Sequence, residues 1–429
     1  MEPLALLAIG ITVVIAGILF LRLHAALALL LAAITVGVLT PAESIESYAT
    51  DKGQSEKAAY ALAETPIGAR IAHGFGVTCG KIGILIAMAA IIGKCLLDSG
   101  GADRIVRSAL KLVGEKHAPI AFLGSGFTLG MPVFFDTVFY LMLPLAKGFT
   151  ARTGKNYLLL VLAIVAGGSM AHSLVPPTPG PLQVASELNV DIGQLMLGGL
   201  VVGIFAALVG FAYASWANRK WPVPLRDTPD SKLADLRVQV EKADSELPPL
   251  WLSLMPILLP ILLISGATTT KLLVENKMLE IGSPFRLFFQ TFGEKNLALV
   301  IAAVLALILL VRQIGFNKDK LAKTFQDALS GGGVVILITA SGGAFGAILQ
   351  QTGIGPWMKG QVDAAGMSTI GILLLAFGVT ALIRFAQGSA TVSMMTTAAI
   401  LTGLASPEIL GCSPLYLALA IGCGSKPLA

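Results

Sequence analysis

Apolar and polar positions fall along this chain in long blocks, not at the short periods of half-buried strands or amphipathic helices. Near-continuous apolar stretches cover 4–21, 23–40, 77–97, 157–171, 193–215, 249–265, 296–313, 325–351, 369–383 and 389–404. Most reach the roughly 18 residues that a helix needs to cross a hydrocarbon core. A break-rich apolar zone runs from 118 to 149, and 414–424 opens a further apolar segment. In lipid only helices and closed barrels satisfy their backbone, and blocks of this length select helices. The pattern predicts an all-α, multi-pass membrane protein.

Lys and Arg set the sides. Arg104, Arg107, Lys111 and Lys116 fill one polar segment, Arg152 and Lys155 a second, and Arg312, Lys318, Lys320 and Lys323 a third. The long loop 216–248 holds Arg219, Lys220, Arg226, Lys232, Arg237 and Lys242. The positive-inside rule makes all four cytoplasmic and sends the loops 41–72 and 353–368, with the N-terminus, outside. The mixed segment 271–295 falls outside as well, as an interfacial helix around Phe285, Phe288 and Phe289.

This layout predicts two transmembrane halves of opposite orientation, 1–215 and 249–429, joined by the cytoplasmic loop 216–248. Gly93-x-x-Leu96-x-x-Ser99-Gly100 has the spacing of Gly346-x-x-Leu349-x-x-Thr352-Gly353, an offset of 253. That offset lays Asp136 over Ser389 and Met131 over Arg384. Inverted-topology repeats with helices broken at mid-membrane are the architecture of many secondary transporters. The break after His172 maps onto about 425–434, so the chain, ending at Ala429, is expected to stop inside the second half's last broken segment.

Composition narrows the classes. Hydrophobic residues make 55% of the 429 and charged residues 13%, about half the soluble norm. The mean hydropathy is +0.81. The net charge of +5 is spread over loops without interleaved aromatics, which excludes a nucleic-acid surface. Cys79, Cys95, Cys412 and Cys423 lie in or beside apolar spans without metal-ligand or secreted-disulfide spacing. The first apolar span lacks a basic n-region and reads as a retained helix. Gly331-Gly332-Gly333 and Ser341-Gly342-Gly343 lack a Gly-Lys-Ser/Thr ending, so they are not a phosphate loop. No Ser/His/Asp order or Cys/His cluster argues for an enzyme, and no cofactor is expected.

Three segments carry chemistry. Gly130-Met131-Pro132-Val133-Phe134-Phe135-Asp136-Thr137 sets one carboxylate in an apolar run just after a break. In low dielectric Asp136 is expected to take up and release a proton, or else to cap a half-helix with Thr137. Ala171-His172-Ser173-Leu174-Val175-Pro176-Pro177-Thr178-Pro179-Gly180-Pro181 sets a histidine and two hydroxyls against four prolines. His172 changes charge near neutral pH, and its competing reading is a hydrogen bond to carbonyls at a helix end. The prolines forbid a regular helix, which places Ser173 and Thr178 at a wet cavity or in a re-entrant connector. Arg384-Phe385-Ala386-Gln387-Gly388-Ser389-Ala390-Thr391-Val392-Ser393 begins with a guanidinium in an apolar context. Arg384 suits a carboxylate, either a solute's or that of Asp136. Gln387, Ser389, Thr391 and Ser341 offer neutral hydrogen bonds to a polyhydroxylated solute. Together the segments read as a solute pathway.

These three motifs, in this order, resemble the gluconate permease (GntP) family over nearly the whole chain. The resemblance implies a bacterial inner-membrane symporter that brings in gluconate or a related sugar acid with protons. It implies an ion-transporter fold of two inverted repeats with re-entrant hairpins, acting as a homodimer in the lipid bilayer. Family members continue for a further helix past the Gly424-Ser425-Lys426-Pro427 region.

Overall fold

In a computed structural model of the protein, residues 2–223, 225, 244–280 and 282–426 are described. Arg226, Lys232, Arg237 and Lys242, placed in the connecting loop by the sequence, lie outside the described residues. The described chain is helical. Its first half runs α1 (Pro3–Leu19), α2 (Ala25–Leu39), α3 (Ala42–Asp51), α4 (Glu56–Glu64), α5 (Ile67–Asp98) and α6 (Gly101–Val113). It continues with α7 (Ala118–Gly130), α8 (Phe135–Thr153), α9 (Tyr157–Leu174), α10 (Pro179–Glu187) and α11 (Ile192–Lys220). The second half runs α12 (Leu250–Glu275), α13 (Pro284–Phe292), α14 (Lys295–Ile314), α15 (Lys318–Gln350) and α16 (Ile354–Ala364). It closes with α17 (Thr369–Gln387), α18 (Ala390–Leu401), α19 (Pro407–Leu410) and α20 (Pro414–Gly424).

Among the described residues six helical stretches are long and apolar enough to cross a membrane: Ile67–Asp98, Tyr157–Glu187, Ile192–Lys220, Leu250–Glu275, Lys295–Ile314 and Lys318–Gln350. The pair α2–α3, bent by 102°, makes a seventh if counted as one span. The lipid-facing character is direct in α11. Val201, Ile204, Phe205, Leu208 and Val209 recur at helical spacing and stand 48–71% exposed. An apolar stripe of that kind is stable only against lipid or another apolar surface. At the C-terminal end of α11, Trp216 and Trp221 stack edge to face at 5.1 Å, with Lys220 over both rings. Aromatic and basic side chains so grouped are the pattern of a membrane interface.

The polar segments 41–72, 101–116 and 353–368, read from the sequence as loops, fold into α3, α4, α6 and α16. Each of these helices is 9–13 residues long. An apolar window of membrane-span length averages such short amphipathic helices away. A helix forms around Phe285 as expected, α13, where Phe285 and Phe289 stack at 4.9 Å.

Contacts divide the chain into two compact units that do not coincide with its two halves. Unit 1 comprises the described residues of 2–84, 179–191 and 333–426, and unit 2 those of 85–178 and 192–332. The helices α5 and α15 each contribute one end to each unit, and within each unit those ends pack antiparallel. In unit 1 Arg70 donates to Gln351 at 2.6 Å. One turn on, a Cβ on Gly74 would lie 3.0 Å from the Ala347 Cβ. A further turn on, Thr78 fills the space beside Gly343. In unit 2 Ala90 lies against Gly332. Lys94 then meets Asp327 at 3.4 Å, and Thr324 donates to Asp98 at 2.6 Å. Asp98 and Gln351 are 253 positions apart, and Arg70 and Thr324 are 254 apart. The two end contacts therefore exchange under nearly the same offset as the Gly/Leu pattern.

Candidate functional site

Unit 2 holds the first break. Its α7 and α9 pack through glycines: a Cβ on Gly130 would come within 2.7 Å of the Gly168 carbonyl oxygen, and Gly126 abuts Ile164. Small residues four apart let backbones approach this closely in a membrane, where dispersion rather than water exclusion drives packing. After Gly130 the chain passes through Met131, Pro132 and Val133, and α8 begins at Phe135. Gly93 of α5 lies under this turn, with Pro132 O and Val133 within 3.5 Å of where its Cβ would be. Phe134 packs its ring edge to face on His172, centroids 6.4 Å apart.

Asp136 stands in the first turn of α8. The low-dielectric surroundings expected for it are not found: the side chain is exposed, and Thr137 is half-buried. The reason is local. The Gly-Met-Pro turn swings the start of α8 so that Val138 and Met142 take the inner face. The carboxylate is left in the first turn of α8, facing outward.

His172, Ser169 and Ser173 are buried on α9, and the hydroxyls of Ser169 and Ser173 have no hydrogen-bond partner among the described residues. Thr178, also buried, donates to Val175 O at 2.9 Å. The proline-rich break is shorter than four prolines suggest. Only 175–178 leave helical structure, and Pro179 and Pro181 sit in the first turn of α10. A missing N–H costs nothing there, because first-turn amides have no intrahelical acceptor.

Unit 1 holds the second break. Gly388, at φ +72°, closes α17 by donating its N–H to Arg384 O at 2.9 Å. Ser389 then caps α18, its Oγ accepting from Val392 N at 3.3 Å. Arg384, Ser389 and Thr391 are half-buried. Neither Arg384 nor Asp136 forms an ion pair among the described residues. The side chain of Gln387 lies outside the described set. Ser341, buried in α15, spends its donor on Leu337 O at 2.7 Å.

The same unit holds a half-open cavity of about 1260 Å³, lined by the end of α10, α3, the C-terminal end of α15, the start of α16 and the segment 402–407. Glu187, the last residue of α10, is the feature that the sequence reading missed. Its Oε1 accepts from Gln183 Nε2 at 2.6 Å, and its carbonyl accepts from Thr402 Oγ1 at 2.9 Å. A signal was present: Glu187 is the one acidic residue between positions 156 and 190. It follows the proline break, with a glutamine one turn before it.

Set beside known proteins, the chain matches the GntP family permease profile over residues 58–429. The chain belongs to the GntP permease family. A permease of Haemophilus influenzae, whose function is uncharacterised, is 32% identical over 99% of this chain and 82% of its own length. The gluconate permease of Zymomonas mobilis is 32% identical over 83% of this chain and 76% of its own. Among solved structures, the YdaH transporter of Alcanivorax borkumensis, described as having an unusual topology, superposes with a TM-score of 0.55. That match covers 83% of this chain and 75% of the other at 15% identity, a likeness of fold alone. This GntP permease is thus a multi-pass inner-membrane transporter and not an enzyme.

Proposed function

We propose that this permease imports gluconate or a related small hydroxy monocarboxylate together with protons. The observation that carries the reading is the pair of helix breaks, 131–134 and 388–389, which the offset of 253 brings to within about four residues of each other. Each turns the chain into the N-terminus of a further helix, α8 or α18, beside a charged side chain. Helix N-termini offer free N–H groups and positive potential to a carboxylate. The near match also favours two repeats, 1–215 and 249–429, and a second copy of the chain fits the family as partner. The gluconate permease of Zymomonas mobilis supports the substrate class.

In this reading Arg384 forks onto the solute carboxylate, with Gln387, Ser389 and Thr391 beside it. Ser173 is the strongest hydroxyl donor to the solute, because its own group has no partner among the described residues. Thr178 and Ser341 have spent their donors on carbonyls and offer only lone pairs, and Thr137 flanks the carboxylate of Asp136. Asp136 and His172 take the proton.

The test is uptake of labelled gluconate into proteoliposomes with an imposed pH gradient, for this chain and Asp136→Asn. Accumulation that collapses with a protonophore, and with the substitution, supports the reading. Uptake indifferent to both removes proton coupling and leaves a uniporter. No uptake of any sugar acid removes the substrate class.

A further inference from the structure

The cavity of unit 1 has a charge balance that ties an anion to a proton. Its lining carries three carboxylates, Glu43, Asp51 and Glu187, and three ammonium groups, Lys52, Lys81 and Lys359. With all six ionised the lining is neutral. A monocarboxylate that enters leaves one negative charge uncompensated, and protonation of one lining carboxylate restores neutrality. Five of the six groups are exposed and screened, and Glu187 alone is withdrawn from water, so an anion that enters beside it raises the cost of its charge and the two events favour each other.

Among the three carboxylates, Glu187 alone is built into the helix packing. Its Oε2 lies 3.4 Å from where a Cβ of Gly346 would stand, so the absence of a side chain on α15 lets the carboxylate in. Lys81 of α5 and Tyr48 of α3 line the cavity beside it. No ionisable side chain occurs on α18, which packs against α10. Gln183 supplies the second half of the device. Its Nε2 donates to the ionised carboxylate, while its Oε1, on a side chain 1% exposed, has no partner among the described residues. Rotating the amide by half a turn brings Oε1 to the same place, where it accepts the proton of a neutral carboxyl. The pair therefore offers a satisfied hydrogen bond to either protonation state. Ser44, Ser47, Asn189 and Ser406 line the same space with groups that suit a polyhydroxylated body.

We propose that Glu187 is a protonation site of this permease, and that its proton is taken up when a hydroxy monocarboxylate occupies the unit 1 cavity. The proposal rests on the sugar-acid reading above and adds to it a second position for the solute, whose lining does not include Arg384, with its own proton-binding group. The proton moves from water to a Glu187 carboxylate oxygen as the anion enters, and returns to water as the anion leaves, with no bond made or broken in the solute.

The experiment is gluconate binding by calorimetry to the purified chain in detergent, at several pH values and in buffers of differing ionisation enthalpy. The wild type is expected to bind more tightly as pH falls, by up to about tenfold per unit, with on the order of one proton taken up per gluconate. E187Q, which mimics the neutral carboxyl, is expected to bind with much of that pH dependence and proton uptake gone. Lys81→Gln, on an exposed side chain, removes one positive charge and should shift the pH dependence upward. Proton uptake in E187Q equal to the wild type's overturns the proposal. So does a monodisperse E187Q that no longer binds, which makes Glu187 a contact rather than a proton carrier. If E187Q does not fold, an unshifted pH dependence in Lys81→Gln overturns it alone. A wild type that binds no sugar acid instead removes the functional reading on which the proposal rests.

Discussion

Arg70 and Gln351 join the first turn of α5 to the end of α15 through a 2.6 Å hydrogen bond, with both side chains under 9% exposed. The guanidinium also donates to Gly37 O and Thr65 O, so it is held by acceptors with no formal charge. Removing the glutamine amide leaves a buried cation short of a partner. Hydrogen bonds to charged groups contribute about 1.5–3 kcal/mol. Gln351→Leu is therefore expected to destabilise the fold by about 2 kcal/mol, read as a lower midpoint of thermal unfolding in detergent. Arg70→Met in the same chain should recover part of the loss, because no charge is then left buried. An additive double variant would refute the coupling.

Gly167 of α9 lies where any Cβ would run into the backbone carbonyl of Leu123 on α7. Alanine is the better helix former by about 1 kcal/mol, so propensity alone favours Gly167→Ala. Backbone cannot yield as a flexible side chain can, and overpacking costs about 1–3 kcal/mol. The clash decides the sign. Gly167→Ala should lower the thermal midpoint and the yield of monodisperse protein, whereas Gly124→Ala, with open space around its Cβ position, should not.

Six of the ten spans and the two proline-marked breaks were legible in the sequence because their signal is strong, whereas the stretches 4–21, 369–383 and 389–404 form shorter helices. An apolar block of membrane length has few other fates, and Gly-Met-Pro or Pro-Pro in such a block ends a helix. The short helices α3, α6 and α16 were not legible, since their signal is a one-sided apolar pattern over about three turns. Asp136 shows a different limit. Its apolar neighbours in sequence suggested burial, but the side a residue faces after a sharp turn depends on which neighbours the next helix buries. Glu187 and Lys94 escaped for the converse reason. Glu187 is a lone acid in an apolar stretch, but what it faces is fixed by α15, through Gly346, and Lys94 becomes informative only through Asp327, far along the chain.

Arg384 tests the solute contact. A guanidinium can grip a carboxylate through two parallel N–H···O bonds, whereas an ammonium acts as a point charge. If Arg384 holds the carboxylate, Arg384→Lys should weaken gluconate binding by roughly 10-fold and Arg384→Gln by roughly 100-fold, on charge-assisted bonds of about 1.5–3 kcal/mol. Calorimetric titration reads both. Equal affinity in the wild type and Arg384→Gln would move the carboxylate elsewhere.

Lys94 offers a contrast in magnitude. Its ammonium lies 3.1 Å from Asp98 and 3.4 Å from Asp327, but the three side chains are 30–46% exposed. Exposed ion pairs contribute about 0–1 kcal/mol because water and salt screen them. Lys94→Ala should therefore shift the thermal midpoint little, and less still at high salt. Asp98→Ala removes more, since the carboxylate also accepts the 2.6 Å bond from Thr324. The expected order of destabilisation is Gln351→Leu above Asp98→Ala above Lys94→Ala, all read by the same melt. A Lys94→Ala variant as unstable as Gln351→Leu would mean that lipid, rather than water, surrounds this triad and leaves its charges unscreened.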